Sequence, residues 1–204
     1  LLAPRKRALW FWVLLAPRKR ALWLGGRMSD NDGQYLDAFG AWLSKLGEDA
    51  EQLSTVLSTE DVAPLARQSV SGGLNYLFKS LDLIPDGIDD IGYLDDAFVL
   101  RVAARHAAQA GATDPVLARL GSEGNLVQSF LADNYARLDR YVTGLRTGAA
   151  RGRTVQEILA SEKTLEDFLA DVRNFAGAYS APSFSRDPKS LIKLRAFFDA
   201  KLPK

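Results

Sequence analysis

The sequence contains no cysteine and a single histidine, His106. The first absence excludes disulfides, zinc–thiolate sites, iron–sulfur clusters and thiol catalysis. The second excludes a His-rich metal site. Any metal held by this chain would therefore sit among oxygen ligands, which suits magnesium, manganese or calcium. No P-loop, dinucleotide fingerprint or nucleophile motif is present, so no organic cofactor is implied. No apolar run reaches the about 18 residues that a membrane-spanning helix needs. Strict period-two alternation and Asn-Gly hairpin signals are also missing.

The net charge of +1 hides an uneven distribution. Residues 1–27 carry seven basic side chains (Arg5, Lys6, Arg7, Arg18, Lys19, Arg20 and Arg27) and no acid. Residues 28–204 hold 19 Lys and Arg against 25 Asp and Glu, a net charge of −6. An acidic body is poorly suited to nucleic acid, whose affinity is dominated by phosphate neutralisation. The basic stretch is also an internal copy. LLAPRKRALW at residues 1–10 recurs without change at residues 14–23. Structural repeats are longer and drift in sequence, so an identical copy points to a recent duplication in the coding DNA. The only methionine, Met28, opens a polar lead into a helix. Residues 1–27 are accordingly expected to be a non-native or disordered basic extension, and residues 28–204 the helical domain. The sharper alternative is a membrane-surface arm, in which Trp10, Trp12 and Trp23 lie beside two PRKR clusters.

Apolar residues make up 47% of the chain and charged residues 25%, a globular balance. Tyr35, Phe39, Trp42, Leu43, Leu46, Ala50, Leu53 and Leu57 step by three or four and predict a helix over 35–57. Ser58 or Thr59 is placed to cap a second helix running toward Lys79, with Glu60 and Asp61 in its first turn. Gly72 and Gly73 in that helix mark either close packing or a bend. A third helix is expected from Tyr93 to Ala110, apolar on most sides and hence central. A fourth is expected from about Glu123 to Leu145, preceded by a turn at Asp114-Pro115. RTGAARGR (146–153) reads as a basic, Gly-rich loop, and Thr154 with Glu157 as a capping box before VQEILA. Helices over 165–179 and from Asp187-Pro188 onward complete the pattern. The expected fold is all-α: an irregular bundle of about six helices in a single domain.

One segment departs from ordinary helix-and-loop composition. Asp82, Asp86, Asp89, Asp90, Asp95 and Asp96 fall within Leu81–Asp96, interleaved with Leu83, Ile84, Ile88, Ile91 and Leu94. The apolar residues should anchor a turn while the carboxylates face something specific. Pro85 and Gly87 break the chain inside it.

The run YLFKSLDLIPDGIDDIGYLDD (76–96) resembles the YkvA-like domain family of unknown function. That family shows a Ser-Pro-x-Asp-Leu-Ile-Pro-Asp run followed by Gly-Tyr-x-Asp-Asp. Asp82, Leu83, Ile84, Pro85, Asp86, Gly92, Tyr93, Asp95 and Asp96 are in register. The resemblance covers about residues 74–105. It implies a small helical module with no established activity, and many relatives look membrane-associated. Here Ser80 stands where proline is usual, Gly87 where a bulky apolar residue is common, and Asp89-Asp90 where a Pro-apolar pair is frequent. Added carboxylates oppose insertion into hydrocarbon.

Two readings of the aspartates follow. In the first they are structural: Asp95 and Asp96 serve the first turn of the third helix, Asp82 and Asp86 bond the amides of the proline turn, and Lys79, Arg101 and Arg105 pair with them. In the second, Asp82, Asp86, Asp95 and Asp96 converge on a divalent cation. The corresponding functions are a non-enzymatic cytoplasmic module acting on a protein partner or peripherally at the inner membrane, and a protein or enzyme that binds magnesium, manganese or calcium on the Asp82–Asp96 carboxylates.

Overall fold

The apolar stripe beginning at Tyr35 becomes the buried face of α1 (Asp30–Thr55). Tyr35, Leu36, Phe39, Trp42, Leu43, Leu46, Ala50 and Leu53 are all buried. The structure, a computed structural model, describes residues 30–204 apart from Glu60 and Asp89. The expectations for residues 1–27, Glu60 and Asp89 lie outside the described residues.

The second helix starts later than the Ser58/Thr59 signal suggests. Val56–Ser58 continues α1 as a 3-10 turn, Asp61 takes a φ of 66°, and α2 (Pro64–Tyr76) opens on proline without a side-chain cap. Proline at the first helical position brings a preset φ and has no amide to satisfy, so the cap is dispensable. α2 ends at Tyr76, where Leu77, Phe78 and Lys79 tighten into i→i−3 hydrogen bonds. Gly72 and Gly73 serve close packing. A Cβ at Gly72 would lie 2.9 Å from the Leu145 carbonyl, and one at Gly73 2.6 Å from the Cβ of Ala103.

α3 (Leu94–Gln109) is buried on nearly every side, with α4 and α2 as its closest neighbours. The expected fourth helix is in fact two. α4 (Pro115–Leu131) begins earlier, because Asp114 is its N-cap, accepting from the amide of Val116 at 2.7 Å. The chain then breaks at Ala132, with φ 48° and ψ −118°, and resumes as α5 (Tyr135–Leu145). Apolar spacing stays in helical register across the break, so periodicity does not reveal it. RTGAARGR folds into a two-residue hairpin, β1 (Ala149–Ala150) paired with β2 (Arg153–Thr154). Arg151 (φ 47°) and Gly152 (φ 77°) form its turn, the left-handed pair that matches strand twist. The Thr154–Glu157 capping box is present and starts α6 (Val155–Ala160). α7 (Glu162–Ala178) and α8 (Pro188–Lys201) follow, capped by Ser161 and Asp187.

Buried apolar residues from all eight of these helices merge into one core. Its aromatic centre joins Tyr35, Phe39 and Trp42 of α1 to Phe98 of α3, Phe130 of α4 and Phe198 of α8. The fold is a single all-α domain. Among the described residues no helix is long and apolar enough to cross a membrane.

Candidate functional site

The acidic segment runs from the end of α2 to the start of α3, and two side chains from those helices stitch it down. The Tyr76 hydroxyl accepts from the Leu83 amide at 2.8 Å and donates to Asp95 Oδ2 at 2.5 Å. The same Asp95 oxygen accepts from the Ile84 amide at 2.9 Å. Leu83, Ile84, Ile91 and Leu94 are buried and anchor the loop from below. The loop closes through Ile88 N donating to Pro85 O and Gly92 N donating to Ile88 O. Gly92 is required there, since a Cβ would stand 2.3 Å from the Asp86 carbonyl oxygen. Tyr93, with φ 63°, turns the chain into α3.

This scaffold arranges four aspartates in depth. Asp86 is exposed and Asp82 half-buried, while Asp95 and Asp96 lie buried behind them. The Tyr93 hydroxyl bonds Asp86. Three buried carboxylate oxygens have no hydrogen-bond partner in the protein: Asp82 Oδ1, Asp95 Oδ1 and Asp96 Oδ2. Burial is the largest cause of a rise in every one of the four carboxyl groups. Asp82 is pushed up to about 6, with repulsion from Asp86 adding to burial and Lys79 opposing it. Asp95 is pushed up to about 7 despite the hydrogen bonds from Tyr76 and Ile84. Asp96 is held well above the usual carboxylate range by burial and by Asp95, Asp86 and Asp82. The Tyr76 hydroxyl is pushed far above its ordinary value by burial and by Asp95 and Asp96. Burial and mutual repulsion hold these carboxyls toward their protonated forms, and only a positive charge among them would favour ionising all four.

The structure brings all four candidate residues together but not into the roles first assigned them. The amides of the proline turn are bonded by Tyr76 and Asp95, not by Asp82 and Asp86. Asp95 thus ties the loop rather than only serving its own helix end. Nor do Arg101 and Arg105 pair with the aspartates of the loop. Arg105 donates to Gln128 and Tyr135. Lys79 donates to the Tyr141 hydroxyl at 3.1 Å and acts on Asp82 only through its field. Asp90 serves a different purpose, accepting from Ser190 at 2.7 Å and Lys193 at 3.0 Å on α8. Among the described residues no three His, Cys, Asp or Glu side chains are placed to share one metal ion.

A second polar centre escapes sequence reading. Arg101, on the next turns of α3, is only 1% exposed. It donates to Asp49 of α1 at 2.9 Å, to Glu123 of α4 at 2.7 Å and to the Ala97 carbonyl at 3.0 Å. Its guanidinium lies 4.1 Å from the Trp42 ring centroid, and Arg119 completes the pairing of Asp49 at 2.8 Å. The available signal is Asp49 itself, an acid set between Leu46 and Leu53 on the apolar stripe of α1.

Residues 66–101 match the family described as protein of unknown function, DUF1232. The acidic loop lies wholly inside the matched stretch. The match begins in α2, takes in Tyr76 and all four aspartates, and ends at Arg101. The YkvA-like resemblance is consistent with it. No curated protein and no solved structure matches the chain. The stretch that matches DUF1232 thus contains both the carboxylate cluster and the arginine that ties α3 to α1 and α4.

Proposed function

We propose that the chain is a non-enzymatic binding module. Its working part is the carboxylate cluster of the matched stretch, which takes a hydrated divalent cation at Asp82 and Asp86 with Asp95 and Asp96 behind them. The observation that carries this reading is the set of three buried carboxylate oxygens without a partner. Leaving such groups unsatisfied costs about 1–3 kcal/mol each, more when charged, and a hydrated cation among them would relieve that cost. A magnesium-like ion keeps most of its water and is held through one or two carboxylates. That mode suits a site where no three ligands stand together. Calcium, which takes six to eight oxygens, suits it less.

Titration calorimetry and thermal shift with magnesium, manganese and calcium test the proposal. Heat and a raised melting temperature are expected with magnesium or manganese and a weaker response with calcium. Both should vanish in an Asp82→Asn/Asp96→Asn variant whose circular dichroism is unchanged. A wild-type chain silent toward all three ions sinks the idea.

A narrower observation favours contact with a protein partner through the same loop. Leu81 is 85% exposed on a rim of carboxylates. An apolar tip on an acidic surface suits a basic protein surface and opposes an anionic membrane. In flotation with phosphatidylserine liposomes, done with and without residues 1–27, the chain lacking them is expected to stay unbound, and its flotation would reverse this preference.

A further inference from the structure

Beside the acidic loop, α7 and the β1–β2 turn border an open cavity of about 600 Å³. Its volume is that of a small-molecule site. Four aromatic rings wall it: Phe78, Tyr93, Phe175 and Tyr179. Tyr93 and Tyr179 meet edge to face at 5.4 Å, and Phe175 lies 5.6 Å from Tyr179. The two tyrosine hydroxyls are already engaged. Tyr179 donates to the Leu43 carbonyl at 2.8 Å and Tyr93 bonds Asp86. What these side chains offer the cavity is therefore ring surface.

The charges of the lining are unequal. Asp171 is neutralised by an ion pair with Arg153. Arg151 makes no ion pair among the described residues; its guanidinium rests over the Phe78 ring at 4.8 Å. It is presented at the tip of the β1–β2 hairpin, whose left-handed turn holds it beside Phe78. An arginine fork on an aromatic platform matches carboxylate or phosphate geometry while a planar ring stacks beside it.

We infer that this cavity binds a small planar aromatic anion, its ring against the wall formed by Tyr93, Phe175 and Tyr179 and its carboxylate or phosphate on Arg151. The inference is independent of the cation reading, although Tyr93 belongs to both sites. An organic cation is disfavoured by Arg151, and a purely apolar ligand leaves the guanidinium without a partner.

Four probes of one ring system test it by calorimetry: 1-naphthoate, 1-naphthyl phosphate, 1-naphthylmethylammonium and 1-naphthalenemethanol. One-to-one binding of the carboxylate or the phosphate is expected, at least about tenfold tighter than the neutral alcohol, as one charge-assisted hydrogen bond provides. The tighter of the two names the anionic group. Arg151→Gln should erase that advantage and leave the alcohol unchanged. Ala178→Trp, which fills the cavity from the end of α7, should abolish binding of all four. Silence of every probe overturns the inference. So does preference for the ammonium, equal binding of all four, or an anion advantage that survives Arg151→Gln with the fold intact.

Discussion

Replacing Arg101 with alanine is expected to lower the unfolding free energy by about 3–5 kcal/mol, the range for breaking a buried ion pair from one side. Two effects add. Asp49, 1% exposed, would keep only Arg119, which is 39% exposed and held by one nitrogen. The space beneath Trp42 would lose the guanidinium packed at 4.1 Å, and an unfilled space adds its own cost. Arg119→Ala removes an exposed partner of the same carboxylate, so its cost should stay near about 1 kcal/mol or below. Urea denaturation of the two variants at neutral pH makes the comparison. The joint change Asp49→Leu/Arg101→Met should recover most of the loss, since an apolar pair of similar volume leaves no orphaned charge. Equal, small losses for Arg101→Ala and Arg119→Ala would show that the network contributes nothing beyond a surface pair.

The second expected result concerns the cost of the carboxylate cluster itself. In buffer stripped of divalent ions, Asp96→Asn should gain stability relative to wild type as pH rises from about 4 to 8. Wild-type Asp82, Asp95 and Asp96 all titrate above the ordinary carboxylate range, with Asp82 at about 6 and Asp95 at about 7. Between the unfolded and folded values the native chain binds more protons than the unfolded one, so stability falls as pH increases. The contribution is fully present below about pH 4, the unfolded aspartate value, and is lost as pH rises through the folded values. Each pH unit in which one extra proton is held corresponds to about 1.4 kcal/mol. The Asp96→Asn change removes one proton-binding group and its repulsion of Asp95, flattening the profile. At low pH the variant should be no better than wild type, because its amide is left short of partners at about 1–3 kcal/mol. Melting temperatures of both chains across that pH range provide the check. Parallel profiles would mean that Asp96 is not held protonated by the fold. A residue whose charge weakens the fold is more readily explained by binding than by packing.

Local signals in the sequence carry over well, because their physics is local. The stripe of α1, the Asp187 cap and the Thr154–Glu157 box depend on neighbours within one or two turns. Tyr93 to Ala110 is readable as a central helix because no face of it is polar. The break at Ala132 is not, because its support comes from the far end of the chain. Arg137, just past the break, donates to Asn134 at 2.8 Å and to carbonyl oxygens of Asp199, Leu202 and Pro203. The same holds for Asp49, whose partner lies 52 residues away. In the candidate site, residue identities are legible but partners are not. Spacing can place Asp95 at a helix start; it cannot show that Tyr76 and Ile84 converge on one of its oxygens and leave the other bare. The aromatic cavity is hidden for a similar reason, being assembled from α7, the hairpin turn and the acidic loop.

Ser190 and Lys193 grip Asp90 across about a hundred residues of sequence. Through that grip the last helix becomes the clasp of the acidic loop, as Arg137 becomes the clasp of the last helix. The acidic loop is thus held at two separate places, by Tyr76 and Asp95 at Leu83 and Ile84 and by α8 at Asp90, so loosening α8 would free one side of the loop and leave the other fastened.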